Sequence, residues 1–304
     1  MNKEKFEILK LKGDIFINKL KALFAIILIV AEVIIVYLVI SKYSGGSADL
    51  ISSKETKVAI VKIDDIITTK TEDEIYNSIE KIRYNKSYKA IIIDMNSPGG
   101  SPSASQEIAS YLKDVNRTLP VIMYVNSMAA SGGYYIASAI KPIVSNKNAI
   151  VGSIGVIMPL YNASELAKKI GIKEDSITAG KYKQPYSPLK EPTAEQKEYL
   201  KRNLLEPGYK NFLNDVAKNR GVDANKLDKY AQGKVYIAND KRIQGILIDK
   251  ISNLYKIKDD LKKRYGKDTK FVIINKKQSN PFSQIFESKF DEVIKSYHKP
   301  LELK

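Results

Sequence analysis

No cysteine and no tryptophan occur in the 304 residues, and the one histidine, His298, stands six residues from the C-terminus. Without cysteine there can be no thiol nucleophile, no Cys-bound zinc and no disulfide. A lone histidine excludes metal sites built on several of them, and a Ser-His-Asp triad would need the tail folded back into the core. A serine nucleophile must therefore draw its base from Lys, Asp, Glu or Tyr, and lysine is the partner in Ser-Lys variants of the triad. Arginine is also scarce. The net charge is +16, yet only six of the 50 basic residues are Arg. Nucleic-acid readers use arginine on base edges and gather charge on one face. Here lysines mix with acids, as in "KDDLKKRYGKDTK" (258–270), which describes a solvated surface and argues against a nucleic-acid partner.

One long apolar run is present. Residues 22–40, "ALFAIILIVAEVIIVYLVI", hold a single charge, Glu32. Nineteen such residues suffice to cross a hydrocarbon core as a helix and exceed the roughly 7–15 apolar residues of a cleavable signal peptide. A buried core helix is the alternative. The flank 1–21 carries six lysines against three acids, while Lys42 is nearly alone on the other side. The positive-inside rule then places the N-terminus in the cytoplasm and everything after about residue 43 outside, as a single-pass protein of the cell membrane. Glu32 at mid-span is costly, so it should face another helix or a wet groove.

The expected organisation is a cytoplasmic segment (1–21), a transmembrane helix (22–40), a polar tether (41–56), an α/β domain (57–270) and a C-terminal extension (271–304). Within the domain "KVAIVKID" (57–64), "KAIIIDM" (89–95), "PVIMYV" (120–125) and "AIVGSIGVIM" (149–158) read as strands. Helical patterns fill 71–85, 103–117 and 162–171, and a long helix from about Thr193 should break at Pro207. Strands separated by helices of this size predict a largely parallel sheet. The extension contains an amphipathic pattern at Phe282, Phe286, Phe290 and Val293, able to pack on the domain, cap a neighbour or lie on a membrane.

Four segments carry possible chemistry. "NSMAASGGYYIAS" (126–138) sets Ser131 among residues with almost no side chain, directly after a strand. Close helix–strand packing would explain that, and so would a serine presented at a strand-to-helix turn beside free backbone amides. "NSPGGS" (96–101) is a turn whose amides can face a ligand. "VGSIGV" puts Ser153 between glycines, where something approaches the strand closely. "AGKYKQPYSP" offers Lys181 and Lys183 on either side of Tyr182.

In chain order, from "NSPGGS" to "GKYK", the four motifs resemble the signal peptide peptidase A family, membrane-bound serine proteases with a Clp-protease/crotonase-like fold of repeated β-β-α units. The resemblance runs from about Lys57 to Leu254 and includes "GKVYIANDKRIQGILIDKI" (233–251). Ile237-Ala238 replace the family's usual Thr-Gly, and Arg242-Ile243-Gln244 stand where small or apolar residues are common. The resemblance implies that Ser131 is the nucleophile, Lys183 the general base, the Gly100 and Gly132 amides the oxyanion hole, and Ser153 the group orienting the lysine amine. Lys181 ranks second as base because the family's lysine follows the tyrosine. A lysine base must be neutral, so its ammonium must titrate well below the usual 10.4 or so, which burial can achieve. The resemblance implies no metal or cofactor. It implies peptide substrates, signal-peptide remnants among them, and a homo-oligomer with sites shared between subunits. A crotonase-type acyl-CoA enzyme shares the fold and the amide oxyanion hole, and a catalytically inactive peptide-binding scaffold is the alternative of another class.

Overall fold

The computed structural model describes residues 23–24, 26–36 and 55–275, in a chain that divides into two units, 1–54 and 55–304. In the first unit residues 23–24 and 26–36 are helical, with their apolar side chains exposed. Among the described residues no helix is long and apolar enough to cross a membrane. Positions 22, 25 and 37–40 of the expected span lie outside those residues. So do the flank 1–21, the tether to residue 54, and residues 276–304 with the expected amphipathic pattern and His298.

The second unit opens with β1 (Lys57–Ile67), α1 (Thr69–Arg83), β2 (Tyr88–Gly100), α2 (Pro102–Val115), β3 (Val121–Ala130) and α3 (Gly132–Ser138). Local chemistry sets the boundaries. Thr68 and Thr71 cap α1 reciprocally, and the Ser101 hydroxyl accepts from the Ala104 amide with Pro102 in the first turn of α2. Then come β4 (Ile143–Ser145), β5 (Ile150–Gly152), α4 (Ser164–Lys169), α5 (Ala194–Leu200), a π-helical stretch (Lys201–Leu205), α6 (Glu206–Arg220) and α7 (Ala224–Asp228). The last elements are β6 (Val235–Ile237), β7 (Lys250–Ile251), α8 (Leu254–Tyr265) and β8 (Lys270–Ile273). The expected break at Pro207 does not occur: the backbone stays helical from Ala194 to Arg220, and the proline, which has no N–H to donate, sits in the first turn of α6 directly after the π-helical stretch. The strand expected over 149–158 is much shorter. It ends at Gly152, because Gly152 (φ 103°) and Ser153 (φ 52°) leave extended backbone.

The sheet runs β6-β5-β3-β2-β1-β8, with β4 on β3 and β7 on β4. Its pairings are parallel except β5–β6. Alternate side chains of β1 to β3 are apolar toward both faces, as a sheet covered on both sides requires. Ala59, Val61, Ile91, Ile93 and Met123 enter the main core with α1, α2 and α6, while Val58, Ile60, Ala90 and Ile92 pack beneath α8 through Ile257 and Leu261. Register shifts interrupt β1 between Asp64 and Ile66 and β2 between Met95 and Asn96. Strand β3 changes partner, pairing Met123–Val125 with β4 and Met128–Ala130 with β5. Each long strand thus behaves as two short ones before its helix. The architecture is mixed α/β with a mainly parallel sheet.

A buried ion pair fixes α6. Arg220, whose side chain is wholly buried, donates from Nη1 and Nη2 to Asp249 Oδ2 and Oδ1 at 2.8 and 2.7 Å, and from Nε to the Ile246 carbonyl at 2.8 Å. The Ile143 amide adds a 2.7 Å bond to Oδ2 of the same carboxylate. The end of α6 is thereby tied to β4.

Candidate active site

Among the described residues four that are not glycine have φ in the left-handed region: Asp65, Ser131, Ser153 and Gln232. Such backbone costs on the order of 1–3 kcal/mol and persists only where the surroundings enforce it. Two of the four are the serines expected to carry chemistry. Ser131 (φ 50°, ψ −122°) is the single residue between β3 and α3, and its hydroxyl does not cap the helix. Its amide donates to the Gly152 carbonyl at 2.9 Å, and its carbonyl accepts from the Tyr135 amide at 2.9 Å. Gly152 precedes Ser153, so β5 brings the second serine beside the first. Ser153 is held in turn by its amide bond to the Lys234 carbonyl at 2.7 Å.

The small residues around Ser131 are required by contact. A β-carbon on Gly99 would lie 2.7 Å from the Gly132 nitrogen and 2.8 Å from the Ser131 β-carbon. One on Gly132 would lie 2.3 Å from Ser105 Oγ and 3.3 Å from the Gly100 nitrogen. One on Gly133 would lie 2.8 Å from the Ser97 carbonyl. The Gly99-Gly100 turn therefore presses directly on the Ser131-Gly132 turn, and Gly100 and Gly132 border one space. Gly100, Ser131 and Gly132 all line a cleft of about 460 Å³, continued by Val156, Leu204 and Phe212. A hollow of about 470 Å³ beside β1, lined by Lys62, Asp64, Thr68 and Glu74, lacks any of the four motifs.

The lysine segment lies elsewhere. Lys183 is exposed, in a turn closed by its amide on the Gly180 carbonyl at 3.1 Å, and does not line the Ser131 cleft. The segment is nevertheless organised. The Glu174 carboxylate accepts from Ser187, from Gln184 at 2.7 Å and from Ser176 at 3.0 Å, and the first of these bonds leads in holding that carboxyl below the usual range. Tyr182 stacks on Tyr199 with ring centroids 4.0 Å apart. Lys181 is committed to Glu195, at 2.5 Å. That hydrogen bond and charge raise its ammonium above the ordinary value, the wrong direction for a base. Within one chain the structure thus brings together Ser131, Gly100, Gly132 and the backbone of Ser153, but not Lys183.

The far wall of the cleft carries none of the four motifs. Leu204, Gly208, Asn211 and Asp215 line it, and their spacing of four, three and four is the period of one helix face. Asp215 accepts a 2.5 Å hydrogen bond from the Tyr135 hydroxyl. Periodicity over 204–215 was the available signal.

The profile of peptidase family S49 matches residues 113–268, a span that contains Ser131, Ser153 and Lys183. A protein of Methanocaldococcus jannaschii whose name is that of an inferred protease is 34% identical over 245 residues, 74% of this chain and 78% of that protein. The chloroplastic serine protease SPPA of Arabidopsis thaliana is 33% identical over 60% of this chain and 27% of its own length. An Enterococcus faecium protein, by name an inferred signal peptide peptidase SppA, is 31% identical over 67% of this chain and 59% of its own.

Proposed function

Because the chain belongs to peptidase family S49 and is a serine peptidase, we propose that it is a membrane-anchored endopeptidase with Ser131 as nucleophile and Lys183 as general base. The observation that carries the proposal is Ser131 itself, held at φ 50° on a strand-to-helix turn in a cleft it shares with Gly100 and Gly132. In the reaction Ser131 Oγ attacks the scissile carbonyl while the lysine amine takes its proton. The negative oxygen of the tetrahedral intermediate is met by the Gly100 and Gly132 amides, each such donor worth about 3 kcal/mol of barrier. The protonated lysine then gives its proton to the leaving amine. Water, activated by the same amine, releases the acyl group and restores Ser131. Ser153 orients the amine without adding charge.

The position of Lys183 supports a site completed between subunits. Its loop faces solvent, and large apolar residues stand exposed just upstream of it: Ile157, Tyr161, Leu166, Ile170 and Ile177. A neighbouring copy covering these side chains would deliver its lysine loop to the Ser131 cleft. The apolar cleft wall and the name of the Enterococcus relative favour apolar peptides, signal-peptide remnants among them. The 22–40 run would hold such a site beside the bilayer, with the domain outside. The test is covalent labelling of the full chain by a serine-directed phosphonate. The reading predicts one adduct, on Ser131, and loss of both adduct and peptidase activity in Ser131→Ala. Activity surviving that substitution would contradict it.

A further inference from the structure

The cleft has one charge. Asp215 is the only charged residue among the described residues that line it, although the chain carries 50 basic residues and a net charge of +16. The carboxylate forms no ion pair among the described residues. Its Oδ2 takes the Tyr135 hydroxyl at 2.5 Å, and Oδ1 takes no hydrogen bond from any described residue. Tyr135 follows Ser131 by one helical turn, its amide bonded to the Ser131 carbonyl. The phenol is pushed above its ordinary value, by burial first and then by the Asp215 carboxylate, and so remains a donor. Tyr135 and Phe212 pack ring against ring at 5.2 Å between centroids, fixing both partners. A carboxylate held this firmly and left with an open oxygen is a receptor for a cation.

Resting on the peptidase reading, we infer that Asp215 makes the cleft a subsite for a basic side chain, so that the peptide cut at Ser131 carries lysine or arginine near the scissile bond. The apolar wall at Val156, Leu204 and Phe212 takes the neighbouring apolar residues. A substrate with both features joins a cationic stretch to an apolar one, which is the composition of a signal peptide where its charged and apolar regions meet. The cation could also be a peptide's own N-terminus, and the test separates the two sources.

Three otherwise identical peptides are compared on the full chain and on Asp215→Asn: one N-acetylated with lysine, one N-acetylated with norleucine, and one with norleucine and a free N-terminus. Asparagine keeps the acceptor for Tyr135 and removes only the charge. Cleavage and direct binding are both measured, with phosphonate labelling of Ser131 in each protein as a control. The inference predicts about a tenfold or greater preference for the lysine peptide, collapsing to near parity in Asp215→Asn while labelling is unchanged. Equal handling of the two acetylated peptides by the unaltered chain, with Ser131 labelled, would overturn the subsite and leave the peptidase reading standing. A preference confined to the free N-terminus would overturn the side-chain assignment. A lysine preference in binding, lost in Asp215→Asn, without any labelling of Ser131 would keep the subsite and sink the peptidase reading. If Asp215 only anchors α6 to α3, Asp215→Asn changes nothing, which also overturns the inference.

Discussion

Gly99→Ala tests whether the two glycine turns depend on each other as the geometry says. At φ 105° any side chain is strained, and the added carbon would stand 2.7, 2.8 and 2.9 Å from the Gly132 nitrogen, the Ser131 β-carbon and the Ala130 carbonyl. Two of the three are backbone atoms of the turn and cannot swing aside. Strain of about 1–3 kcal/mol and overpacking of about 1–3 kcal/mol then add. Gly171→Ala separates the two: its φ is 74° but nothing lies within 4 Å of the new carbon, so it suffers strain alone. Urea unfolding followed by circular dichroism should show Gly99→Ala less stable than Gly171→Ala by about 1–3 kcal/mol. Because relief must come from moving the Gly132 amide, phosphonate labelling of Ser131 should slow by about a hundredfold or more, the loss expected for one misplaced oxyanion donor. Equal stabilities, or labelling at the unaltered rate, would refute the claim that Gly99 braces the nucleophile turn.

Ser131→Gly should abolish labelling yet raise stability by about 1 kcal/mol, since glycine accepts φ 50° freely; a destabilised variant would mean the turn is not strained. Lys181→Met should retain activity while Lys183→Met loses it, and peptide hydrolysis by the two variants decides between the lysines. Burial alone would raise Asp249, but the Arg220 guanidinium and the Ile143 amide outweigh it and hold the carboxyl below its ordinary range. This pair therefore contributes stability above about pH 4, the value for an unfolded aspartate, and the contribution fades as pH falls through the depressed folded value. Asp249→Asn, which leaves the Arg220 charge buried alone, should cost about 3–5 kcal/mol at neutral pH and flatten the acid limb of the stability curve measured by urea titration.

Much of the domain was legible because its sheet is buried on both faces. Runs such as "KAIIID" have few uses other than a covered parallel strand, and the helical patterns over 71–85 and 103–117 overlap α1 and α2. The Ser131 turn was legible in residue type, since glycine and alanine there answer to contacts too close for anything larger. The strand after Ala149 is shorter than its apolar run, because apolar character continues through Ile154 and Val156 while left-handed backbone at Gly152 and Ser153 ends the pairing. Lys183 was legible as a motif but not in position. Its segment has no periodicity, and its loop faces solvent in the single chain. The Tyr135–Asp215 pairing is not legible for another reason: each residue is ordinary alone, and only the packing of α6 against α3 makes them a pair.

Whether Ser131 acts with a Lys183 supplied by a neighbouring copy is tested most directly by mixing two inactive variants. Ser131→Ala and Lys183→Ala chains, each inactive, are mixed one to one under conditions that exchange subunits, with mixing verified by differently labelled chains. In a closed head-to-tail ring, random mixing leaves an intact serine facing an intact lysine at about one interface in four, so activity should recover to about a quarter of that of the unaltered protein. No recovery on verified mixing would contradict the shared site.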